Sequence, residues 1–325
     1  MVHYSRVNAS ENMYLQRVLF HLLSVYFCLA ESTYFRFDYT YYPNIDGWLK
    51  LHLIPTNWRD AWLNCDLEGS TLASPIDKNM IKAMDIHWKS KNTTQCVFYT
   101  GVHAMFSKGH FFSIEGVSLE KMPVRWAAGE PDNANNNEEC IVWTDGEVAD
   151  VNCSDLFPYM CFKRQTKDMT LTPCGTIDKE YVLSPLTGNC YKFHRYGRTW
   201  SRAHMTCASE GGYLAIINSH DEAQHLKKLY EENYPKVFPG GNKEVIHIGM
   251  KDWDDHGDWR TIHGLKIQEA GYAEWNPGQP DSINKTPGQH CGAMFRNSKL
   301  DDFYCDHIAP FICEKSIDSL LNDNI

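Results

Sequence analysis

Two stretches of the chain carry apolar residues at helical spacing, each just after an aromatic, strand-like segment. Trp58, Ala61, Trp62 and Cys65 fall on one helical face, and Trp200, Ala203 and Cys207 repeat the pattern. A further helix is predicted from Ser219, with a capping box to Glu222 and an apolar face of Ala223, Leu226, Leu229 and Tyr230. Beyond the helices the pattern changes to short strands separated by loops rich in Gly, Pro, Asn and Asp. Helices first and a loop-rich sheet second make an α+β reading.

The pattern is duplicated. Asn57 to Cys65 recurs as Thr199 to Cys207, and Glu68, Gly69, Leu72 and Ala73 recur as Glu210, Gly211, Leu214 and Ala215, all at an offset of 142 residues. Gly129-Glu130-Pro131-Asp132 recurs as Gly278-Gln279-Pro280-Asp281. Cys140, Cys153 and Cys161 recur as Cys291, Cys305 and Cys313, with the offset grown by loop insertions. Each copy far exceeds one supersecondary unit, so this is a duplicated domain and not a solenoid. A length of 325 residues suits two domains. We expect a leader over 1–30, a first domain over 31–163, a short polar linker over 164–173, a second domain over 174–315 and a frayed tail over 316–325.

The leader rests on a basic start at Arg17 and a mostly apolar run from Val18 to Ala30, too short to span a bilayer. Met13 is a second candidate start. A leader implies export, and the 12 cysteines suit an oxidising compartment. Sequence alone does not fix connectivity, but the repeat makes non-equivalent pairings awkward. The pairs drawn are Cys65–Cys161, Cys140–Cys153, Cys207–Cys313, Cys291–Cys305 and, stapling an N-terminal hairpin of the second copy, Cys174–Cys190. Long closures such as Cys65–Cys161 are worth about 3–4 kcal/mol each. With Cys28 in the leader, Cys96 is left over, either a free thiol or a bridge to a second chain.

Charge narrows the function. The chain has 41 Asp and Glu against 31 Lys and Arg. That acidity, with no basic run, argues against nucleic acid, whose phosphates need a cationic footprint. It favours cations, or neutral ligands held through them. His-Glu-x-x-His and Gly-x-Ser-x-Gly are both missing, which argues against an enzyme. His247 and His290 read as ordinary histidines. No later segment is apolar for 18 residues, so no transmembrane span is expected after the leader.

The spacing of the cysteines, the Gly-(Glu/Gln)-Pro-Asp motifs and the Trp residues before them (Trp126, Trp275) resembles the C-type lectin fold twice over, from about Trp48 to Glu314. Two such domains behind a leader look like the dual-domain insect immune lectins of the immulectin type. The resemblance implies two tandem C-type-lectin-like domains, each with two helices and a loop-rich antiparallel sheet, stapled by disulfides. It further implies Ca2+ bound on a long loop after a cis-proline, with sugar hydroxyls coordinating the ion. Side-chain carboxylates and amides are suitable hard ligands.

Carried over residue by residue, the first site falls on Glu130, Asp132, Glu138, Ala149 and Asp150. Ala149 removes an oxygen ligand, and Val148 replaces the usual Trp. Four carboxylates remain to hold calcium, but none of these positions can donate to a hydroxyl, because carboxylates only accept. The second site falls on Gln279, Asp281, Gln289, Asp301 and Asp302, with Leu300 in place of Trp. There each sugar hydroxyl would meet one acid and one amide, Gln279/Asp281 and Gln289/Asp301, both inverted from the family's usual order. The second copy is therefore expected to be the better sugar site, with a specificity that is not simply galactose. Sequons stand at Asn92, Asn152 and Asn284. Asn152 abuts Cys153, and a glycan on Asn284 would crowd the second loop. The expected function is secreted, calcium-dependent recognition of microbial or cell-surface glycans, with host immune proteins or cells as further partners. The competing reading is a calcium-independent protein-binding module in adhesion or opsonisation.

Overall fold

The computed structural model describes residues 34–91, 97–237, 240–253, 257–281 and 288–323. The expected leader, Cys96 and the sequons at Asn92 and Asn284 lie outside them. From Phe35 onward the chain packs as one compact unit.

The first domain opens with β1 (Thr40–Tyr42) and β2 (Gly47–Thr56), then α1 (Trp58–Leu67), β3 (Thr71–Leu72) and α2 (Lys78–Lys89). The sheet is completed by β4 (Val97–His103), β5 (Phe112–Ser113), β6 (Cys140–Thr144), β7 (Glu147–Val151) and β8 (Phe157–Arg164). Its strand order is β1-β2-β8-β4-β6-β7. The second domain repeats this with β9 (Val182–Leu183), β10 (Cys190–Arg198), α3 (Trp200–Ser209), β11 (Tyr213–Leu214) and α4 (His220–Asn233). It continues with β12 (Val245–Asp252), β13 (Trp259–Thr261), a one-turn α5 (Ile267–Ala270), β14 (Cys291–Phe295), β15 (Leu300–Phe303) and β16 (Ala309–Lys315). Its order is β15-β14-β12-β16-β10-β9. In both sheets the long loop leaves beyond the strand that touches the closing strand in parallel, at Tyr99↔Tyr159 and His247↔Phe311. Each domain is thus α+β, and α5 makes a third helix in the second domain where two were expected.

The helices begin where capping chemistry allows. The Asn57 side chain accepts from the Asp60 amide, and Asp77 accepts from the Asn79 and Met80 amides. Ser219 accepts from the Glu222 amide, but the Glu222 carboxylate does not close the expected box. Buried instead, it accepts from the Tyr191 hydroxyl and the Asn218 amide. On α1, Trp58, Ala61 and Cys65 are buried, whereas Trp62 is 39% exposed. At 100° per residue Trp62 falls on the rim of the stripe, so the expected four-residue face has three core members. Trp58 and Trp200 donate their indole N–H groups to Thr100 O and Ile248 O, tying each first helix to its sheet. The loop-facing strand crosses closely here. A Cβ at Gly249 would lie 2.2 Å from Leu214 O.

Cys65–Cys161, Cys140–Cys153, Cys174–Cys190, Cys207–Cys313 and Cys291–Cys305 are bonded. Cys174–Cys190 fastens the β9/β10 hairpin, in which Cys190 faces Leu183. The expected fraying of 316–325 is not what residues 316–323 do. Leu320 is buried, and its carbonyl accepts from the Phe37 amide of the first domain. Burying an apolar side chain of that size outweighs the disorder expected of a polar tail. The domains also meet through Arg36, which donates to Ser209 O at 2.8 Å, and through Arg202, 3.0 Å from Asp60. Asp60 and Arg202 are equivalent positions in the repeat, on α1 and α3. A cleft of about 370 Å³ lies between the domains.

Each domain buries an equivalent ionic cluster behind its first helix. Glu68 accepts from Tyr39 (2.6 Å) and pairs with Lys50 (2.5 Å) and His52 (3.3 Å). Glu210 accepts from Tyr181 (2.9 Å) and pairs with Lys192 (2.7 Å) and His194 (3.0 Å). Burial alone would raise the Glu68 carboxyl, but His52, Arg36 and Lys50 outweigh it and hold it at about 2. His247 is a core histidine: it is fully buried, bonded to His307 O, and pushed by desolvation down to about 4.

Candidate calcium and carbohydrate loops

Both long loops are anchored in the same way. Trp126 runs beside Val148, with Ala127 N–H donating to Val148 O, and Trp275 runs beside Leu300, with Asn276 N–H donating to Leu300 O. The positions that the resemblance assigns to a Trp are thus small buried aliphatics holding the loop to β7 and β15. Each loop then turns through a glycine at positive φ, Gly129 (94°) and Gly278 (88°), a region open to residues without Cβ. The peptides Glu130–Pro131 and Gln279–Pro280 are both cis, as the resemblance implies.

In the first domain the register of β6 and β7 sets Asp150 opposite Ile141 and Ala149 opposite Val142. Glu130, Asp132 and Asp150 each bring a carboxylate oxygen within 4.8 Å of the others. Asp150 is buried and accepts from the Asp132 and Asn133 amides at 3.3 and 3.1 Å. Glu138 accepts from the Ala134 amide at 2.7 Å, which pins the far side of the loop. Burial, together with Asp150 and Asp132, raises the Glu130 carboxyl to about 7, and Glu138 is raised for the same reasons. Glu130 Oε2 is buried with no hydrogen-bond partner among the described residues. Carboxylates gathered this closely repel one another unless a cation or proton lies between them.

In the second domain β14 and β15 set Asp302 opposite Gly292 and Asp301 opposite Ala293. Asp302 repeats the role of Asp150, accepting from the Asp281 amide at 3.2 Å. Asp301 stands where the first domain has Ala149. Burial, then Asp302 and Asp281, push the Asp301 carboxyl up to about 7. Gln279 Oε1 and Asp301 Oδ1 are buried without a partner among the described residues. Gln289, half-buried, returns the chain into β14. Three orphaned oxygens in two equivalent loops, all of hard-ligand type, fit a calcium ion in chemistry.

Asp252, at the end of β12, adds a carboxylate that the sequence reading passed over. It is 2% exposed, accepts from Gly257 N–H at 3.0 Å and lies 3.5 Å from His290 Nδ1. The Lys251-Asp252-Trp253-Asp254-Asp255 run was the available signal. The Asn152 side chain accepts from the Ser154 amide at 2.8 Å, so its sequon is folded into a tight turn.

The model of the family described as "Lectin C-type domain" matches residues 54–163 and 196–315. The chain belongs to the C-type lectin domain family. A hemolymph lipopolysaccharide-binding protein of Periplaneta americana is 37% identical over 144 residues, covering 44% of this chain and 55% of that protein. Human C-type mannose receptor 2 is 21% identical over 270 residues, 80% of this chain but 17% of the receptor. The chain therefore spans about half or less of the length of these relatives. The mouse scavenger receptor C-type lectin carbohydrate-recognition domain, a solved structure, is 28% identical, with a TM-score of 0.35 over 43% of this chain and 97% of that one. As a C-type lectin, this chain has two matched regions that enclose both cis-proline loops. Among its described residues no helix is long and apolar enough to cross a membrane.

Proposed function

We propose that this tandem C-type lectin is a secreted glycoprotein of innate immunity. It would use calcium in its long loops to bind glycans on microbial surfaces. The observation that carries the reading is the set of buried, unpartnered oxygens, Glu130 Oε2, Gln279 Oε1 and Asp301 Oδ1, in two loops of equivalent build. Leaving such atoms unpaired is costly, and a divalent cation satisfies several at once. The hemolymph relative, named for lipopolysaccharide, supports an extracellular, microbial ligand. Export also accords with five disulfides. The function is binding rather than catalysis.

Calcium would be held by Gln279, Asp281, Gln289, Asp301 and Asp302 in the second domain, and by Glu130, Asp132, Glu138 and Asp150 in the first. The ion supplies a charged centre that sugar hydroxyls can ligate. The chain's own side chains orient those hydroxyls. The second domain is the stronger sugar site, because Gln279 and Gln289 can donate as well as accept. Two sites on one chain gain from effective concentration on a repetitive surface.

The test is elution of the full chain from immobilised lipopolysaccharide, mannan and galactose resins. Release by EDTA is the expected result. Retention through EDTA with release by salt alone would favour the calcium-independent protein-binding alternative. Asp281→Ala should weaken sugar capture more than Asp132→Ala, and the reverse order would overturn the ranking.

A further inference from the structure

Helix α2 of the first domain presents Lys78, Lys82 and Lys89 to solvent. Spacings of four and seven residues stack them on one side of the helix. They border an open depression of about 360 Å³ against Pro123, with Ile81 and Ile86 between them. Ile86 is 49% exposed. None of the three lysines is ion-paired among the described residues. The carboxylate in the depression is Asp85, one oxygen of which accepts from Trp143 Nε1 at 3.0 Å. In a chain of net charge −10, this is a locally cationic face.

The fold does not require it. At the same three positions of the repeat, α4 carries His220, Gln224 and Glu231. His220 faces Glu274 at 3.7 Å, Gln224 donates to Ser298 Oγ at 3.1 Å, and Glu231 pairs with Lys227 at 4.0 Å. Both helices bury the same stripe, Met84 and Trp88 matching Leu226 and Tyr230. The outer faces differ in kind: committed to partners in the second domain, and charged without ion pairs among the described residues in the first.

We propose that this face of α2 binds phosphate groups carried by the polysaccharide whose sugars occupy the neighbouring loop. The inference rests on the carbohydrate reading above. Ammonium groups are point-charge donors suited to phosphate, and neutral sugar would gain nothing from three of them. Pro123 precedes Glu130 by seven residues, so the depression and the loop are at most ~25 Å apart along the chain. One polymer can reach both, and the second contact then benefits from proximity to the first. The first domain, poor in hydroxyl donors at its loop, would thus select charged glycans.

The experiment measures binding of the full chain, in calcium and in EDTA, to a surface of phosphorylated yeast mannan and to the same mannan after chemical removal of its phosphates. The variant is Lys78→Gln/Lys82→Gln/Lys89→Gln, three exposed changes that leave the core intact. At low salt the variant should bind the phosphorylated polymer about tenfold more weakly than the native chain. The two should match on the dephosphorylated polymer and at high salt. The lysine-dependent difference should persist in EDTA. Equal binding of native chain and variant to the phosphorylated polymer would overturn the proposal. A duplex DNA that binds with a larger lysine-dependent gain than the mannan would overturn the glycan assignment. Calcium-independent binding of both chains to the dephosphorylated polymer would instead sink the calcium-dependent reading of the loops while leaving the lysine effect measurable.

Discussion

The two domains have one scaffold and two interiors. Where the first packs Leu49, Met80 and Phe162, the second places Tyr191, Glu222 and Glu314 at the equivalent positions. Leu49 faces Phe162 across β2 and β8, as Tyr191 faces Glu314 across β10 and β16. Glu314 is fully buried and accepts from Asn189 (2.7 Å), Ile216 N–H (3.0 Å) and Tyr213 (3.2 Å). Burial, then the charge of Glu222, raise its carboxyl to about 7. A C-type lectin domain therefore tolerates either an oily or a hydrogen-bonded centre, provided every polar group finds a partner. The loops differ in the same sense, since the second domain adds Asp301 where the first has Ala149.

The largest expected effect separates the interiors by pH. Glu314, with a folded value of about 7 against an ordinary 4.5, favours folding fully below 4.5 and loses that contribution as pH rises through 7. Glu68, held at about 2, behaves oppositely: its contribution is present above 4.5 and lost as pH falls through 2. Each is worth about 3 kcal/mol at most. Glu314→Gln should stabilise the chain at pH 8 relative to pH 5, read by denaturant unfolding, and Glu68→Gln should destabilise it at pH 7 but not at pH 2. A pH-independent difference for Glu314→Gln would show that the interiors do not differ electrostatically, whereas Glu68, whose cluster is repeated at Glu210, serves as the control of opposite sign.

Next in size is the metal. Asp302→Ala should weaken calcium binding by the second domain about 100-fold, measured by titration calorimetry of the full chain. An unchanged isotherm would remove the second loop as a calcium site. Restoring the missing ligand should sharpen the contrast: Ala149→Asp is expected to tighten the weaker calcium event about tenfold. No gain would mean that Ala149 is not what separates the two loops. The smallest effect is between domains. Arg202→Ala should cost under about 1 kcal/mol, since the Asp60 pair is partly exposed. A larger drop in thermal midpoint would reveal a stiffer junction than the contacts imply.

Periodicity and repetition made much of this legible in the sequence. The stripes on α1, α3 and α4 follow from helical spacing, and the duplicated cysteines framed the pairings that the structure contains. The cis-proline loops were expected only through the family resemblance that the duplicated four-residue motif helps to carry. Trp62 was misplaced because a stripe drawn from spacing alone has no rim. Glu222 reads as a cap from its position after Ser219, and only the tertiary approach of Tyr191 makes it a core residue. The lysine face of α2 was hidden for another reason: its charges are spaced along a helix rather than run together, so a linear scan does not gather them. The contacts of Arg36, Leu320 and Arg202 between domains leave no local pattern at all.

The Asp60–Arg202 pair has a meaning beyond its energy. In a symmetric homodimer a residue near the axis meets its own twin, so a charge there faces its like. Joining two copies in one chain lifts that self-complementarity rule, and the same structural position can then be negative in one half and positive in the other. Duplication thus gave this junction a polarity that no pairing of identical subunits could have had.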